Sequence, residues 1–300
     1  MKSLKSFVST VEFYQYGTPE AEKVLHCKGS RPRDAWTKEP IDGDFARCKT
    51  PAKSDGFSYC KLRSVFGGWS FDDGFYSHPF GYDSVPRRVF EGRADGNNSR
   101  YGIEIEHMFK TFDNFENSRA YVLLYILYRA QCEHDCTVNG EIHIPDRRNL
   151  SGLREIMAAC ETFFDLSADE CGTHIHYSAD GVSGARCARN ASAINTLLET
   201  MKNNRTSTVE LFGRNFNEYA SGCRYPQPDR YAWLNCLNDS NVEWRLCHYT
   251  DINQFLTCAD MVKHLSEALC GQGKKTAVEV FKYYAEGKAP IQKRGTIEKR

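Results

Sequence analysis

Tyr101-Gly102-Ile103-Glu104-Ile105-Glu106-His107-Met108-Phe109 is the stretch on which the fold turns. Isoleucine and glutamate alternate in it, the period-two pattern of a β-strand with one face in a core and the other open. On such a strand Glu104 and Glu106 share a face, and two like charges side by side need water or a cation opposite them. Two further segments repeat the device: His174-Ile175-His176 aligns two imidazoles, and Glu243-Trp244-Arg245 aligns a carboxylate with a guanidinium. Hard divalent cations prefer carboxylate oxygens, imidazole ligates metals or contacts phosphate, and arginine grips phosphate or carboxylate with a planar fork. Singly, each pair is also what a solvated strand face or a cross-strand ion pair presents. Together they suit a metal ion with a phosphorylated ligand.

Outward from this stretch, strands and helices follow in turn. The spacing predicts strands over 101–109, 137–144, 173–178, 206–212, 231–237 and 241–249, and helices over 118–131, 151–164, 189–201, 252–269 and 276–285. Ser118 is a candidate helix cap, and Asn238-Asp239-Ser240 is the turn signal of a hairpin joining the last two strands. The pattern is α+β: strands forming one sheet, helices covering one face, and the polar pairs lining the other. Residues 1–95 differ, being dense in Gly, Pro, aromatic and basic residues, as in Phe66-Gly67-Gly68-Trp69-Ser70-Phe71. They read as a loop- and strand-rich accessory region. The turn-forming run Ala94-Asp95-Gly96-Asn97-Asn98-Ser99 marks a boundary to a second domain over 96–287, followed by a basic tail over 288–300.

Composition excludes several classes. With 39 basic and 39 acidic residues in 300, the formal net charge is zero, which argues against a nucleic-acid or anionic-membrane partner. No stretch reaches the length of a transmembrane helix, and Lys5, Glu12 and Gln15 interrupt any signal-peptide core near the start. Thirteen cysteines, odd in number and irregular in spacing, do not form a disulfide framework. The expectation is a cytoplasmic protein with reduced thiols. A zinc site built from Cys132-Glu133-His134-Asp135-Cys136 with Cys27, Cys48 and Cys60 would require paired C-x₂₋₄-C spacing twice, and only one such pair occurs.

The order of the motifs resembles the glutamine synthetase and glutamate–cysteine ligase superfamily, and within it the amidoligases encoded by phages and bacteria. Gly102-Ile103-Glu104-Ile105-Glu106 stands as that family's opening, and Cys171-Gly172-Thr173-His174-Ile175-His176-Tyr177-Ser178 as its histidine block. Arg230-Tyr231-Ala232-Trp233-Leu234-Asn235 and Val242-Glu243-Trp244-Arg245 stand as its later elements. Gly140-Glu141-Ile142 with Pro145, and Phe212-Gly213-Arg214 with Glu218-Tyr219, are weaker matches. Roughly residues 100 to 270 are covered.

This resemblance implies an antiparallel curved sheet with helices on its outer face and an ATP-dependent, amide-forming ligase working through an acyl phosphate. It implies Mg²⁺ or Mn²⁺ held by Glu104, His174 and Glu243 at one position and by Glu106 and Glu141 at another. It further implies His176 and Ser178 near the ATP, Arg245 at the transferring phosphoryl group or acidic substrate, and Arg214 and Arg230 as anion contacts. The partners implied are a carboxylate substrate and an amine substrate, with peptides and proteins among the candidates. No Walker-type loop is present, and phosphate binding through metals needs none. Other readings are a metal-dependent hydrolase of the amidohydrolase type, which also carries H-x-H on strands, and an inactive metal- or nucleotide-binding protein. A guanidino-group kinase would show a C-P-x-N motif, which is missing.

Overall fold

The computed structural model describes residues 4–26, 31–49, 56–66, 99–111, 113–133, 138–147, 149–217, 220–226, 232–237 and 239–288. The class is α+β with antiparallel pairing, as the alternation of patterns predicts. Among the described residues no helix is long and apolar enough to cross a membrane. The chain divides into two compact units, each discontinuous in sequence: Met1–Glu91, Gly102–Asp146 and Arg154–Cys171 form the first, and Gly92–Tyr101, Arg147–Leu153 and Gly172–Arg300 the second. Only Ser99 of the turn-forming run 94–99, Phe66 of the aromatic run 66–71, and Lys288 of the basic tail fall within the described residues.

The first unit begins with α1 (Leu4–Val8), β1 (Glu12–Tyr14), α2 (Pro19–Leu25), β2 (Phe45–Lys49) and β3 (Phe57–Lys61). Short strands and loops were the expectation here, and the two helices are additions. Thr18 starts α2, its hydroxyl accepting from the Ala21 amide, with Pro19 at the first helical position where its missing N–H is harmless. The three strands form an antiparallel sheet in the order β1-β2-β3. Ala21, Leu25, Ile41 and Phe45 make its core, with Tyr14 stacked on Phe45. Asp34 is buried, and both its oxygens are used: Oδ2 accepts from the Lys61 amide, and Oδ1 accepts from the Trp36 and Thr37 amides and the Tyr125 hydroxyl.

Then follow β4 (Arg100–Phe109), α3 (Asn114–Tyr128), β5 (Gln131–Glu133), β6 (Gly140–Arg147), α4 (Leu150–Phe163) and β7 (Phe164–Asp165). The alternation along β4 is as predicted: Ile103, Ile105 and His107 are buried, while Glu104 and Glu106 lie on the less buried face. Helix α3 starts earlier than expected. Asp113 caps it, accepting from the Phe115 and Glu116 amides, whereas Ser118 is buried inside the helix. Its end comes at Arg129, whose left-handed φ of 62° closes the last turn onto the Tyr125 carbonyl. Strand β6 lies between β5 and β4, and β7 pairs antiparallel with the end of β4.

The second unit carries β8 (Thr173–Ser178), α5 (Gly184–Ala188), α6 (Ala191–Asn203), α7 (Arg205–Phe212), β9 (Leu234–Asn235), β10 (Val242–Trp244), α8 (Ile252–Leu269) and α9 (Ala277–Ala285). β10 pairs antiparallel with both β8 and β9, so the hairpin stands, although Asn238 of its turn lies outside the described residues. Both hairpin strands are shorter than predicted, and one further bond in the same register, from the Arg245 amide to the Trp233 carbonyl, follows Trp244. The predicted 189–201 helix begins instead at Ala191, after the separate α5.

Among the described residues α7 is a whole element reversed, predicted as a strand from its β-branched run Thr206-Ser207-Thr208-Val209 and found as a helix, while Gln131 and Phe164, predicted as helix ends, belong to β5 and β7. Thr208 is buried, and its hydroxyl donates to the Met201 and Asn204 carbonyls, satisfying a group that a strand would have left to solvent. Gly213 then stops the helix at φ 82°.

One face of the β8–β10 pair is apolar. Ile175, Tyr177, Val242 and Trp244 are fully buried; Trp244 stacks on Phe212, meets Trp233 edge-on and donates from Nε1 to Ser266 Oγ of α8 at 2.9 Å. Tyr177 reaches Glu267 of α8 at 2.8 Å. The opposite face of the same pair carries His174, His176 and Glu243.

Candidate functional site

In the second unit, register decides which side chains meet. Glu243 on β10 stands opposite His176 on β8 and opposite Asn235 on β9. His174, two residues back along β8, brings Nδ1 to 3.8 Å from Glu243 Oε1. Arg245 donates from Nε to the same Oε1 at 2.5 Å, and Asn235 Nδ2 donates to Oε2 at 2.7 Å. The Glu243 carboxylate is thus gripped at both oxygens, which holds its plane fixed. His176 Nδ1 lies 3.2 Å from Asn241 Oδ1. Arg214 joins through the backbone, its Nη2 donating to the Arg245 carbonyl at 2.6 Å.

Local structure explains why Arg214 arrives there. The Phe212 carbonyl accepts from the His248 amide at 2.7 Å, binding the end of α7 to the segment after β10. At Gly213 a Cβ would lie 2.2 Å from the His248 carbonyl oxygen, so only glycine permits this approach. Phe212-Gly213-Arg214 is therefore a device that places an arginine beside Arg245.

In the first unit a second group of polar side chains forms on β4 and β6. Glu104 and Glu141 each offer an oxygen within 4.8 Å of the other. His143 stands beside both, Nδ1 at 3.9 Å from Glu104 and Nε2 at 3.6 Å from Glu141. Glu106 shares the Glu104 face of β4. His107, on the other face, is a core residue: it stacks on Phe164 with centroids 4.3 Å apart and meets the Tyr121 hydroxyl at 2.9 Å. Burial pushes its imidazole down to about 3, so it is neutral and structural.

Among the sequence-predicted residues, the structure therefore gathers His174, His176, Glu243, Arg245 and Arg214 within the second unit and Glu104 with Glu141 within the first. Ser178 is on the His176 face of β8 and lines a separate cleft. Arg230 lies outside the described residues. Three residues at these groups were missed. His143 had a signal, because Glu141-Ile142-His143 is itself an alternate pair on a strand. Asn235 closes the Arg230–Asn235 segment of the resemblance but had no role assigned, and Asn241 had no signal, since what each touches depends on strand register.

The donor chemistry suits a divalent cation. Oxygen and nitrogen ligands about 2.1 Å from one ion stand roughly 3 to 4 Å apart, and the 3.8 Å between His174 and Glu243 falls in that range. At Glu243 a cation would share Oε1 with Arg245 or displace it. No protein-family model matches this chain, and no curated protein matches it.

Proposed function

We propose that this chain is an ATP-dependent carboxylate–amine ligase whose sheet is of the glutamine synthetase type. The observation that carries the reading is the polar face of β8–β10, where two histidines, a doubly held carboxylate and an arginine meet above a sealed apolar face. A strand pair that stacks tryptophan and tyrosine on one side and ligand-type groups on the other is built to present those groups rigidly.

In the proposed reaction the terminal phosphoryl group of ATP passes to a substrate carboxylate, giving an acyl phosphate and ADP. The amine nitrogen then attacks the acyl carbon, the C–O bond to phosphate breaks, and inorganic phosphate leaves. Phosphoryl transfer needs positioning and charge neutralisation more than a protein nucleophile. Arg245, held against Glu243 and backed by Arg214, supplies a fixed positive charge for the transferring group or the acidic substrate. Mg²⁺ or Mn²⁺, when bound, would supply further charge neutralisation; within the second unit His174 and Glu243 would hold it, and within the first Glu104, Glu106 and Glu141 form a ligand group of the same kind. His176, fixed by Asn241, orients the nucleotide.

The test is ADP release by the purified chain with Mg²⁺ or Mn²⁺ and a panel of carboxylates and amines, alongside Mn²⁺ binding followed by electron paramagnetic resonance. Glu104→Ala and Glu243→Ala are each expected to lower turnover by two orders of magnitude or more and to weaken Mn²⁺ binding, with the circular dichroism unchanged. Undiminished turnover in either variant overturns the assignment.

A further inference from the structure

At the Ser178 end of β8 the second unit holds a cleft of about 480 Å³, lined by Ser178, Asp180, Ser183, Arg186, Arg189 and Asp239, among others. That volume falls within the usual range of small-molecule sites, roughly 300–1,000 Å³. It adjoins the groups already described: Ser178 stands about 7 Å along the strand from His176 on the same face. Ser240, also in the lining, precedes Asn241, which bonds His176.

The charges of this lining are its distinctive feature. Two arginines and two aspartates make it formally neutral but strongly polar. A triphosphate would meet the aspartates as well as the arginines, and a simple amine would meet the arginines. A molecule carrying one carboxylate and one ammonium matches both. Arg186 is set in place for this: its Nε donates to the Cys270 carbonyl at 3.0 Å. Its guanidinium also lies across Gly181, where an added Cβ would stand 3.1 Å from Nη1. Among the described residues neither Arg186 nor Arg189 pairs with a carboxylate of the protein, so both forks are available to a ligand.

We infer that this cleft holds the amine substrate and that the substrate is a free α-amino acid, its carboxylate on Arg186 and Arg189 and its ammonium on Asp180 and Asp239. The inference rests on the ligase reading for the reaction but not for the binding. In the reaction the ammonium loses two protons, one ending on the departing phosphate and one in solvent, as its nitrogen bonds the acyl carbon and the carbon–oxygen bond to phosphate breaks. Ser178 then serves the amino acid, not the nucleotide.

Isothermal titration of the full chain with the twenty common free amino acids, with and without ATP and Mg²⁺, tests this. At least one is expected to bind, its carboxamide at least tenfold more weakly. Arg189→Gln should weaken amino-acid binding at least tenfold while leaving ATP affinity unchanged, and Arg189→Lys, which keeps charge but not the fork, should fall between. Arg189 is exposed, so the fold is not at stake. Binding of ATP with Mg²⁺ but of no amino acid overturns the inference and leaves the ligase reading standing. Loss of ATP affinity in Arg189→Gln, with amino-acid binding intact, assigns the cleft to nucleotide phosphate and also overturns it. An amide bound as tightly as its free acid does the same. If neither ATP nor any amino acid binds, both readings fall.

Discussion

Replacing Gly213 by alanine should damage the second unit far more than the same replacement at Gly271, and the difference between the two measures one backbone contact. Both glycines have positive φ, 82° and 73°, so each alanine takes on the left-handed penalty of about 1–2 kcal/mol. At Gly271 nothing lies within 4 Å of the added Cβ, and the penalty ends there. At Gly213 the Cβ would lie 2.2 Å from the His248 carbonyl oxygen and 3.0 Å from its carbon, and the obstacle is main chain, not a flexible side chain. Relief requires the 248 segment to withdraw, which breaks the 2.7 Å bond from the His248 amide to the Phe212 carbonyl. A buried backbone bond lost without replacement costs roughly 1–3 kcal/mol. The Gly213→Ala total comes to roughly 2–5 kcal/mol, a large share of a typical stability of 5–15 kcal/mol.

Urea denaturation followed by tryptophan fluorescence reads this directly, because Trp233 and Trp244 sit in the same packed group as Phe212. With a slope of about 3 kcal/mol per molar urea, the Gly213→Ala midpoint should fall by about 0.7–1.7 M and the Gly271→Ala midpoint by about 0.3–0.7 M, the former always the larger. Equal midpoints for the two variants would refute the reasoning, since the close approach at His248 would then carry no energy.

Other perturbations follow from the same contacts. Trp244→Phe removes the donor to the buried Ser266 hydroxyl and opens space beside Phe212, so thermal unfolding should show a loss of about 2–3 kcal/mol. Asp251→Ala strips the cap that accepts from the Asn253 and Gln254 amides of α8; a loss of about 1 kcal/mol in urea titration is expected, and none would mean the cap is idle. Tyr177→Phe tests a pH effect. Burial alone would raise the Glu267 carboxyl, but bonds from His264 and Tyr177 hold it below its ordinary value. A carboxyl lowered on folding adds stability above its unfolded pKa and loses it as pH falls through the folded one. The stability gap between wild type and Tyr177→Phe should therefore narrow as pH drops below the ordinary carboxylate range, and a gap that widens there would exclude the mechanism.

Some elements were legible because pattern and boundary agree. Thr173–Ser178 follows Gly172 and alternates cleanly, and Ile252–Leu269 follows the capping Asp251 with helical spacing; both have the predicted bounds. Elsewhere local signals were ambiguous and packing chose. Asp113 and Ser118 are both good cap residues, and burial of Ser118 against the unit's core left the role to Asp113. The β-branched run in α7 reads as strand until the Thr208 hydroxyl finds the carbonyls of Met201 and Asn204, acceptors that no periodicity reveals.

The site divides along the same line. Alternation along one strand tells which face a side chain occupies, so Glu104 with Glu106, and His174 with His176, could be read as pairs. What each pair meets depends on the neighbouring strand, and a slip of one residue would turn the neighbour's set to the other face. The Glu243↔His176 and Glu243↔Asn235 alignments are what bring an imidazole and an amide to one carboxylate, and what leave Trp244 facing α8. Arg186 and Arg189 are further out of reach, because their cleft is assembled from the loop after β8, the helix α5 and the β9–β10 turn. The tryptophan that anchors β10 therefore does as much for the site as the residues on its polar face: its burial against Phe212 and Ser266 is what forbids the slipped register in which Glu243 would point into the core.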